Sequence, residues 1–448
     1  MKNVKKVIGV CAAVVMLFLL AACGGNATGE TQDTTNGGTD AGSDVTISFW
    51  MQRYGADPSV QENLMNNLVS QFYSETGINV EVVYVDWGQA LTRYTLASTG
   101  GEAPDVGDVF FLQSLVQMGN NEFGPMEIND LAAEIGMDQF YESILHEAMV
   151  GDDFYGIPWR ADTRVLALNM EILSEAGFDS APTTWDELIT MAQATATHNS
   201  DGSVARSGLL WNTTQARFDQ TWYAVLAQAG GQVLSDDFSS AVFDSPEGME
   251  SLQFMQNMIT EYNVMPSTVI DPSFEPETEF LAGNAAMLFG VTPSFRVNVE
   301  ANAPQMLEQV QLAVLPTRDG TGPSSIAFAA PVAIFRTTEH PEEAKEWVRF
   351  FTSVESQIQV SDALNQLNSN RFVMEADHIA NDVFLTVFSD QFERAVMGDP
   401  PIPAWSQISA WPDGPISQMT TNIMAGRDVN EFVTNAIREV NELIDSID

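Results

Sequence analysis

The sequence predicts an α/β fold of two lobes, each a mostly parallel sheet flanked by helices. First, strand and helix patterns alternate along the chain in the βαβ rhythm of such sheets. Second, 448 residues are too many for one ordinary hydrophobic core. Third, residues 156–169, GIPWRADTRVLALN, place an indole, two guanidiniums and a carboxylate between two apolar strands. A polar crossing of this kind is typical of a hinge that lines a ligand cleft.

The first 44 residues predict a secreted protein with a lipid anchor. Lysines precede an apolar run at residues 7–20 that is too short to span a bilayer, so we expect a signal peptide at 1–22. The LAAC sequence resembles a bacterial lipobox, in which cleavage leaves Cys23 as a lipidated, palmitate-bearing N-terminus. A plain secretory signal is the alternative. Residues 23–44 are almost free of apolar side chains, which predicts a flexible tether on the outer face of the cell membrane.

The mature chain is strongly acidic and has no possible internal disulfide. Cys11 lies in the discarded segment, which leaves Cys23 alone. The net charge is −43, and loss of the three signal lysines makes it −46. Repulsion excludes nucleic acid and anionic membrane surfaces as partners. The charge indicates a well-solvated surface, or adaptation to a saline or alkaline medium in which screening relieves self-repulsion.

The first third of the chain predicts three strands and two helices. We expect strands at 45–49, 78–85 and 105–111 and a helix at 91–97. An earlier helix has Asp57 as its cap, begins at Pro58 and stops at Gly77, and its apolar face contains Val60, Leu64, Leu68 and Phe72. Ligands collect beyond the carboxyl ends of parallel strands, so residues 50–54, 86–87 and 110–113 should form one rim.

The pattern restarts after residues 156–169. Pro158 should stop the strand before it because proline cannot donate to a sheet ladder. Thr184 and Glu187 form a capping box at the start of a helix. Two later helices begin at Pro341 and after the cap Asp428. The other expected elements are strands at 165–168, 207–211, 285–289, 311–315 and 326–335 and helices at 218–229, 245–262 and 275–282.

Several segments together resemble a known family. They are LAAC, ISFW, GINVEVVYVDW, APDV, YGIPWRADTRVLALNMEIL, PTTWDELI, FLAGNAAMLFG, LPTRDG and AIFRTTEHPEEAKEWVRFF. Their order and spacing resemble those of extracellular solute-binding proteins of carbohydrate ABC transporters, the group that includes maltose-binding proteins. The resemblance covers residues 23–448, and no single motif is specific.

The resemblance implies a periplasmic-binding-protein-like fold of type II with a three-crossing hinge. Lobe I would comprise 45–160 and 331–398, and lobe II 165–327 and 403–448, with further crossings near 327–330 and 400–403. The lobes would close around a solute. A mono- or oligosaccharide ligand, ABC permease subunits and a cytoplasmic ATPase are the implied partners of a monomer. No cofactor and no metal are expected.

A sugar site needs aromatic rings for the C–H faces and polar side chains for the hydroxyls. The family pattern, carried over by position, predicts ligand contacts from Arg53, Tyr54, Phe111, Gln113, Arg160, Asp162, Trp211, Trp222, Phe295 and Trp411. The family often has Trp after the strand ending in AMLFG, where this chain has Thr292, Pro293 and Phe295. For Trp211 and Trp222, core and cleft positions stay open, and Trp159 fits either a packed hinge or a sugar contact.

A surface-anchored carbohydrate-active enzyme is the main alternative to a binding protein. It would need a carboxylate pair or an activated base, and 61 acidic residues make chance pairs unavoidable. The histidines at 146, 198, 340 and 378 share no metal or triad spacing, which favours a binding protein. Peptides and polyols are alternative solutes. The acidic surface disfavours anionic sugars unless Arg53, Arg160, Arg164 or Arg296 converge in the cleft.

Overall fold

The computed structural model describes residues 45–54, 57–118, 122–213 and 217–446. The predicted signal peptide at 1–22, the lipidation at Cys23 and the tether at 23–44 lie outside these residues. No helix in the described part of the chain is both long and apolar enough to cross a membrane.

The strands and helices that the structure describes are numbered in chain order. The strands are β1 (Thr46–Gln52), β2 (Asn79–Val85), β3 (Val106–Asp108), β4 (Met149–Val150), β5 (Asp153–Phe154), β6 (Ile157–Thr163), β7 (Val165–Asn169), β8 (Thr197–His198), β9 (Val204–Arg206), β10 (Leu210–Trp211), β11 (Met287–Val291), β12 (Val310–Ala313), β13 (Ser325–Ile334) and β14 (Ala395–Met397).

The helices are α1 (Pro58–Thr76), α2 (Trp87–Gly100), α3 (Leu112–Met118), α4 (Asn129–Ile135), α5 (Glu142–Leu145), α6 (Met170–Glu175), α7 (Trp185–Thr195), α8 (Asp219–Ala229), α9 (Pro246–Thr260), α10 (Pro276–Leu281), α11 (Phe295–Asn302), α12 (Pro341–Phe351), α13 (Val354–Leu364), α14 (Arg371–Met374), α15 (Asp377–Ala380), α16 (Leu385–Phe392), α17 (Trp405–Ile408), α18 (Pro415–Met424) and α19 (Val429–Asp445). Short 3-10 helices lie at Met137–Gln139, His146–Ala148, Ser267–Ile270 and Pro304–Glu308.

The first large sheet has the strand order β14-β13-β3-β1-β2, with β6 also paired to β13. The predicted βαβ units are present, since β1 is parallel to both β2 and β3. Strand β13 runs antiparallel to β3 and β6. The hydrophobic core of this first sheet contains the apolar faces of α1 and α12, including Phe72 and Trp347, as the periodicity of both helices predicts.

The second large sheet has the strand order β10-β11-β7-β12. Only β10 and β11 are parallel, whereas β7 is antiparallel to both of its neighbours. This sheet is therefore less parallel than predicted, because β7 enters it directly from the first sheet rather than through a helical crossover. Its core includes Trp185, stacked on Phe254 with ring centroids 4.0 Å apart.

The three predicted crossings fall at different kinds of position in the structure. Strand β6 of the first sheet continues through Arg164 into β7 of the second. The second predicted crossing, 327–330, lies inside β13 where that strand pairs with β6. The third, 400–403, links β14 to α17, whose Trp405 belongs to the second core.

Pro158 does not stop a strand, contrary to the prediction. It lies inside β6 and faces Pro331 of β13, where the pairing register shifts. Proline has no backbone N–H to donate. Because the two prolines face each other where the register is already irregular, the missing donors fall at one position of the β6–β13 ladder.

Two other predicted elements differ from the structure. Val60 is 40% exposed rather than part of the buried face of α1. A strict four-residue spacing drifts by about 40° per step around a helix, so a stripe aligned on Phe72 has rotated away by Val60. Strand β3 ends at Asp108 rather than at 111, because the chain turns through Phe111, at a φ of 56°, into α3.

Candidate functional site

Aromatic side chains follow the carboxyl ends of the parallel strands of the first sheet. Trp87 begins α2, one residue after the end of β2, and donates from Nε1 to the carbonyl of Arg53 at 2.7 Å. Its ring centroid lies 5.4 Å from that of Tyr54 and 4.9 Å from that of Phe110. Trp87 is 47% exposed, more than any other tryptophan that the structure describes. The rim of this sheet therefore presents an indole to solvent.

A buried carboxylate, Asp108 at the end of β3, holds this rim together. Its Oδ2 accepts from Tyr54 Oη at 2.6 Å and from the backbone N–H of Gln52 at 3.3 Å. Its Oδ1 accepts from Trp159 Nε1 at 3.0 Å. Burial raises the pKa of Asp108 to about 6, although these hydrogen bonds and the charge of Arg160 favour the ionised form. Trp159 is thus a buried hinge residue.

Alternate residues of the β6–β7 crossing place three charged side chains on one side of the strand. Asp162 lies between two arginines, 3.7 Å from Arg160 Nη2 and 2.8 Å from Arg164 Nη1. Arg160 also donates to Gln366 at 2.7 Å and lies 5.1 Å over the ring of Tyr54. All three charged side chains are at most 15% exposed. Arg160, Asp162 and Arg164 therefore form a row of charges that runs from the rim of the first sheet toward the second sheet.

The second sheet contributes polar side chains just beyond its own strand ends. Strands β10 and β11 are parallel, and Asn212, Thr213 and Thr292 follow their carboxyl ends. These three residues line a cavity of about 160 Å³ together with Arg164, Arg217 and Gln220. Arg164 Nη2 donates to Gln220 Oε1 at 2.8 Å, which ties the crossing strand to α8.

A larger cavity adjoins this one. It has a volume of about 780 Å³ and shares Asn212, Thr213 and Thr292 with the smaller cavity. Its other walls come from α10 and α11, which supply Glu277 and Asn298. Asn298 donates to Glu277 at 2.7 Å, and burial raises the pKa of Glu277. The two cavities together give a polar surface rich in amides, hydroxyls and charged groups.

Buried acids lie where the third crossing meets α8. Asp399 accepts from Trp405 Nε1 at 2.7 Å, and burial raises its pKa to about 6, with the charge of Asp219 acting in the same direction. Asp219 pairs with Arg217 at 2.8 Å. Burial also raises the pKa of Glu147. Within the described ranges no group of three His, Cys, Asp or Glu side chains is placed to hold a metal ion.

Each sheet thus presents polar or aromatic side chains beyond the carboxyl ends of its parallel strands, and Arg160, Asp162 and Arg164 lie along the strand that joins the two sheets. A sequence model of bacterial extracellular solute-binding proteins matches residues 57–358, about two thirds of the chain. The chain belongs to this family. Its members are binding proteins of the extracytoplasmic space.

Several solved structures share the fold of this chain. The sugar-binding protein MalE from Xanthomonas citri superposes with a TM-score of 0.77 at 20% identity, covering 90% of this chain and 98% of that one. A solute-binding protein from Thermotoga lettingae, bound with alpha-D-tagatose, gives 0.73 at 23% identity, covering 90% and 100%. The arabinooligosaccharide-binding protein of Halalkalibacterium halodurans is 23% identical over 265 residues, 56% of this chain and 55% of that protein. The two-lobe fold is thereby confirmed.

The structure brings some predicted contact residues together. Tyr54, Arg160 and Asp162 form one connected group through Asp108 and Arg164. Arg53 lies at the same rim, paired to Glu62 at 2.9 Å and 4.3 Å over the ring of Tyr84. Phe111 begins the turn after β3 and packs partly buried against the second core.

Other predicted residues are used inside the protein. Trp211, Trp222 and Phe295 are fully buried, and Trp222 Nε1 donates to Ser251 at 2.9 Å. Gln113 donates to the carbonyls of His146 and Met149, both at 3.0 Å. Trp411 packs partly buried against the second core, next to a cis peptide bond to Pro412. In this conformation the three fully buried rings offer no surface to a solute.

Sequence reasoning did not single out as contact residues several side chains that the structure places beyond the strand ends or along the smaller cavity. The sequence placed Trp87 at the rim of the first sheet, but Trp87 was not among the predicted ligand contacts. Asn212, Thr213 and Thr292 directly follow strands, which is a signal that could have found them. Arg217 had no such signal, because its position depends on how α8 packs beside the crossing strand.

Proposed function

We propose that the protein captures a mono- or oligosaccharide in the cleft between its two sheets and delivers it to an ABC importer. The observation that carries the proposal is the presence of an exposed indole and of hydrogen-bonding side chains beyond the strand ends of both sheets. Rings bind the C–H faces of a sugar, and amides, hydroxyls and guanidiniums bind its hydroxyls. Relatives described as binding maltose, tagatose and arabinooligosaccharides support the same class of solute.

The proposal includes the organisation of the chain. Lobe I comprises 45–160 and 331–398, and lobe II comprises 165–327 and 403–448, so closure occurs about the three crossings. Cleavage after residue 22 leaves Cys23 lipidated, and the tether holds a monomeric binding protein near the membrane-embedded permease subunits. The lipobox and the composition of residues 23–44 support this placement.

Calorimetry with purified protein against mono- and oligosaccharides tests the function. We expect saturable binding of at least one saccharide and a ligand-dependent rise in melting temperature, because a ligand that binds only the folded state stabilises it. Chromatography of the incubated sugars must show them unchanged. Product release would favour the alternative, a surface-anchored carbohydrate-active enzyme.

A Trp87→Ala variant tests the site. Loss of stacking and of buried ring surface should weaken saccharide affinity at least about tenfold. Tyr73→Ala is the matched control, because Tyr73 is 48% exposed but lies in the last turn of α1, toward the amino ends of the strands. Equal affinities of Trp87→Ala and wild type would remove the indole from the site.

A further inference from the structure

The smaller cavity of the cleft has an unusual charge. Its lining includes two charged residues, Arg164 and Arg217, and both are basic. The whole chain has 61 acidic and only 18 basic residues, so a wall of this size would be expected to contain acids. The remaining polar lining consists of uncharged side chains such as Asn212, Thr213 and Thr292.

Carboxylates hold the two guanidiniums from outside the cavity. Asp162 contacts Arg164 Nη1 at 2.8 Å, and Asp219 contacts Arg217 Nη2 at 2.8 Å, yet neither aspartate lines the cavity. Asp399 acts on both arginines electrostatically but is bonded to Trp405 and also lies outside the lining. A guanidinium has five N–H donors in a planar fork. Asp219 accepts from Nε and Nη2 of Arg217, so the other edge of this guanidinium can still bind an anion. Arg164 is bonded at both ends of its fork, by Asp162 and the carbonyl of Thr163 at Nη1 and by Gln220 at Nη2, and contributes mainly its charge.

The adjoining larger cavity has the opposite charge. Its charged lining residues are Glu275 and Glu277. An anionic group on a ligand would be repelled there and attracted to the arginines. A volume of about 160 Å³ is well below the roughly 300–1,000 Å³ of pockets that hold whole drug-sized ligands, so the smaller cavity would take one part of the ligand.

An unsatisfied polar group also points to a ligand. Thr213 is only 5% exposed, and its Oγ1 has no hydrogen-bond partner among the described residues. Buried hydroxyls are normally bonded, so a ligand hydroxyl or carboxylate is a natural partner for this one.

We propose that the solute is an acidic saccharide, with a uronic acid unit whose carboxylate lies between Arg164 and Arg217. Asn212, Thr213 and Thr292 bind the hydroxyls of this unit, and the uncharged remainder extends toward Glu277. This proposal rests on saccharide capture in the same cleft. Bidentate charge-assisted hydrogen bonds from arginine then supply the specificity.

Titration of wild-type protein with matched pairs of oligosaccharides tests the proposal. Each pair differs only at C6: galacturonate and galactose, glucuronate and glucose, or mannuronate and mannose oligomers. We expect at least one acidic member to bind at least about tenfold more tightly than its neutral counterpart.

Substitutions at Arg217 test whether its guanidinium, rather than the rest of the site, gives the preference for acidic saccharides. Arg217→Gln should abolish the preference for the acidic member, and Arg217→Lys should keep only part of it because lysine lacks the planar fork. Arg318→Gln is the control, since Arg318 pairs with Glu250 at 2.9 Å outside the cavity. Tight binding of neutral members equal to that of acidic ones would overturn the proposal and leave saccharide capture intact. Failure of every saccharide to bind would overturn both.

Discussion

Asp108 determines how the rim of the first sheet is built. One carboxylate accepts from the phenol of Tyr54, the indole of Trp159 and the backbone of Gln52, and it is fully buried. The group therefore joins the end of β1, the end of β3 and the crossing strand. Tyr54, predicted from sequence to be near a ligand, is held by this acid, and Arg160 lies over the ring of Tyr54. No sequence pattern singled out Asp108.

The raised pKa of Asp108 makes a pH-dependent contribution to stability. The folded state has a pKa of about 6 for this group and the unfolded chain about 3.9, so the folded state binds the proton more tightly. Its contribution to the free energy of unfolding is therefore largest below pH 4 and decreases as pH rises to 6, by on the order of 3 kcal/mol. Asp108→Asn cannot titrate and should lose this decrease.

The measurement is urea unfolding of both proteins between pH 4 and 7. Asp399 has the same sign of effect, and His146, whose pKa burial lowers to about 4, has the opposite sign, so the difference between variant and wild type is the quantity to follow. Asp152→Asn, at an exposed acid, is the control. Parallel curves for Asp108→Asn and wild type would contradict the assignment.

At the residue scale, the neighbourhood of Arg160 and Asp162 was predictable from sequence, whereas that of Trp211, Trp222 and Phe295 was not. Arg160 and Asp162 are two positions apart on a strand between the two lobes. Their side chains therefore lie on the same side of that strand and close to each other. Trp211, Trp222 and Phe295 are aromatic, as residues that stack on sugars are, but large rings are also favoured in a hydrophobic core. Only the packing of α8, α9 and α10 around the second sheet distinguishes the two.

At the element scale, helix caps were the most informative signals. Asp57, Thr184 and Asp428 each accept a hydrogen bond from the first turn of the helix they precede, as predicted. The capping box at Thr184 differs in one detail, because Glu187 accepts from the N–H of Thr183 at 2.7 Å. Strand lengths were less predictable, since β3 ends at Asp108 rather than at 111 and β10 begins at Leu210 rather than at 207.

Thr184→Ala should destabilise the protein by about 1 kcal/mol, because the N–H of Glu187 loses the side-chain acceptor that lies 3.2 Å away. Urea unfolding at neutral pH measures the loss. Thr190→Ala on the exposed face of the same helix is the matched control. Its hydroxyl bonds only the carbonyl one turn earlier, and alanine favours the helix. An equal effect of the two substitutions would argue against the cap.

At the scale of the whole molecule, charge is the dominant property. With a formal net charge of −43, the folded protein repels itself at low ionic strength. We expect the melting temperature to rise by at least a few degrees between 10 mM and 1 M NaCl, as the Debye length falls from roughly 30 to 3 Å. Sucrose of equal osmolality controls for preferential exclusion, which also stabilises compact states. An unchanged melting temperature would refute a saline adaptation.

The two-lobe fold was predictable because its periodicity and hinge are local in sequence. The pairing of β3 with β13 was not predictable, since it joins distant segments. Asp108 of β3 pairs with Val332 of β13, 224 positions later. No local pattern specifies such a partner, and the antiparallel direction of β13 follows only from the route of the chain through the second sheet.

That late pairing has a consequence for biogenesis. At roughly 5–20 residues per second, a ribosome needs about 10–45 s after making β3 to produce β13, the strand that pairs with it. During this interval the nascent chain cannot finish either the sheet or the core beneath it. A protein destined for the outside of the cell can thereby stay unfolded long enough to be threaded through a translocation channel.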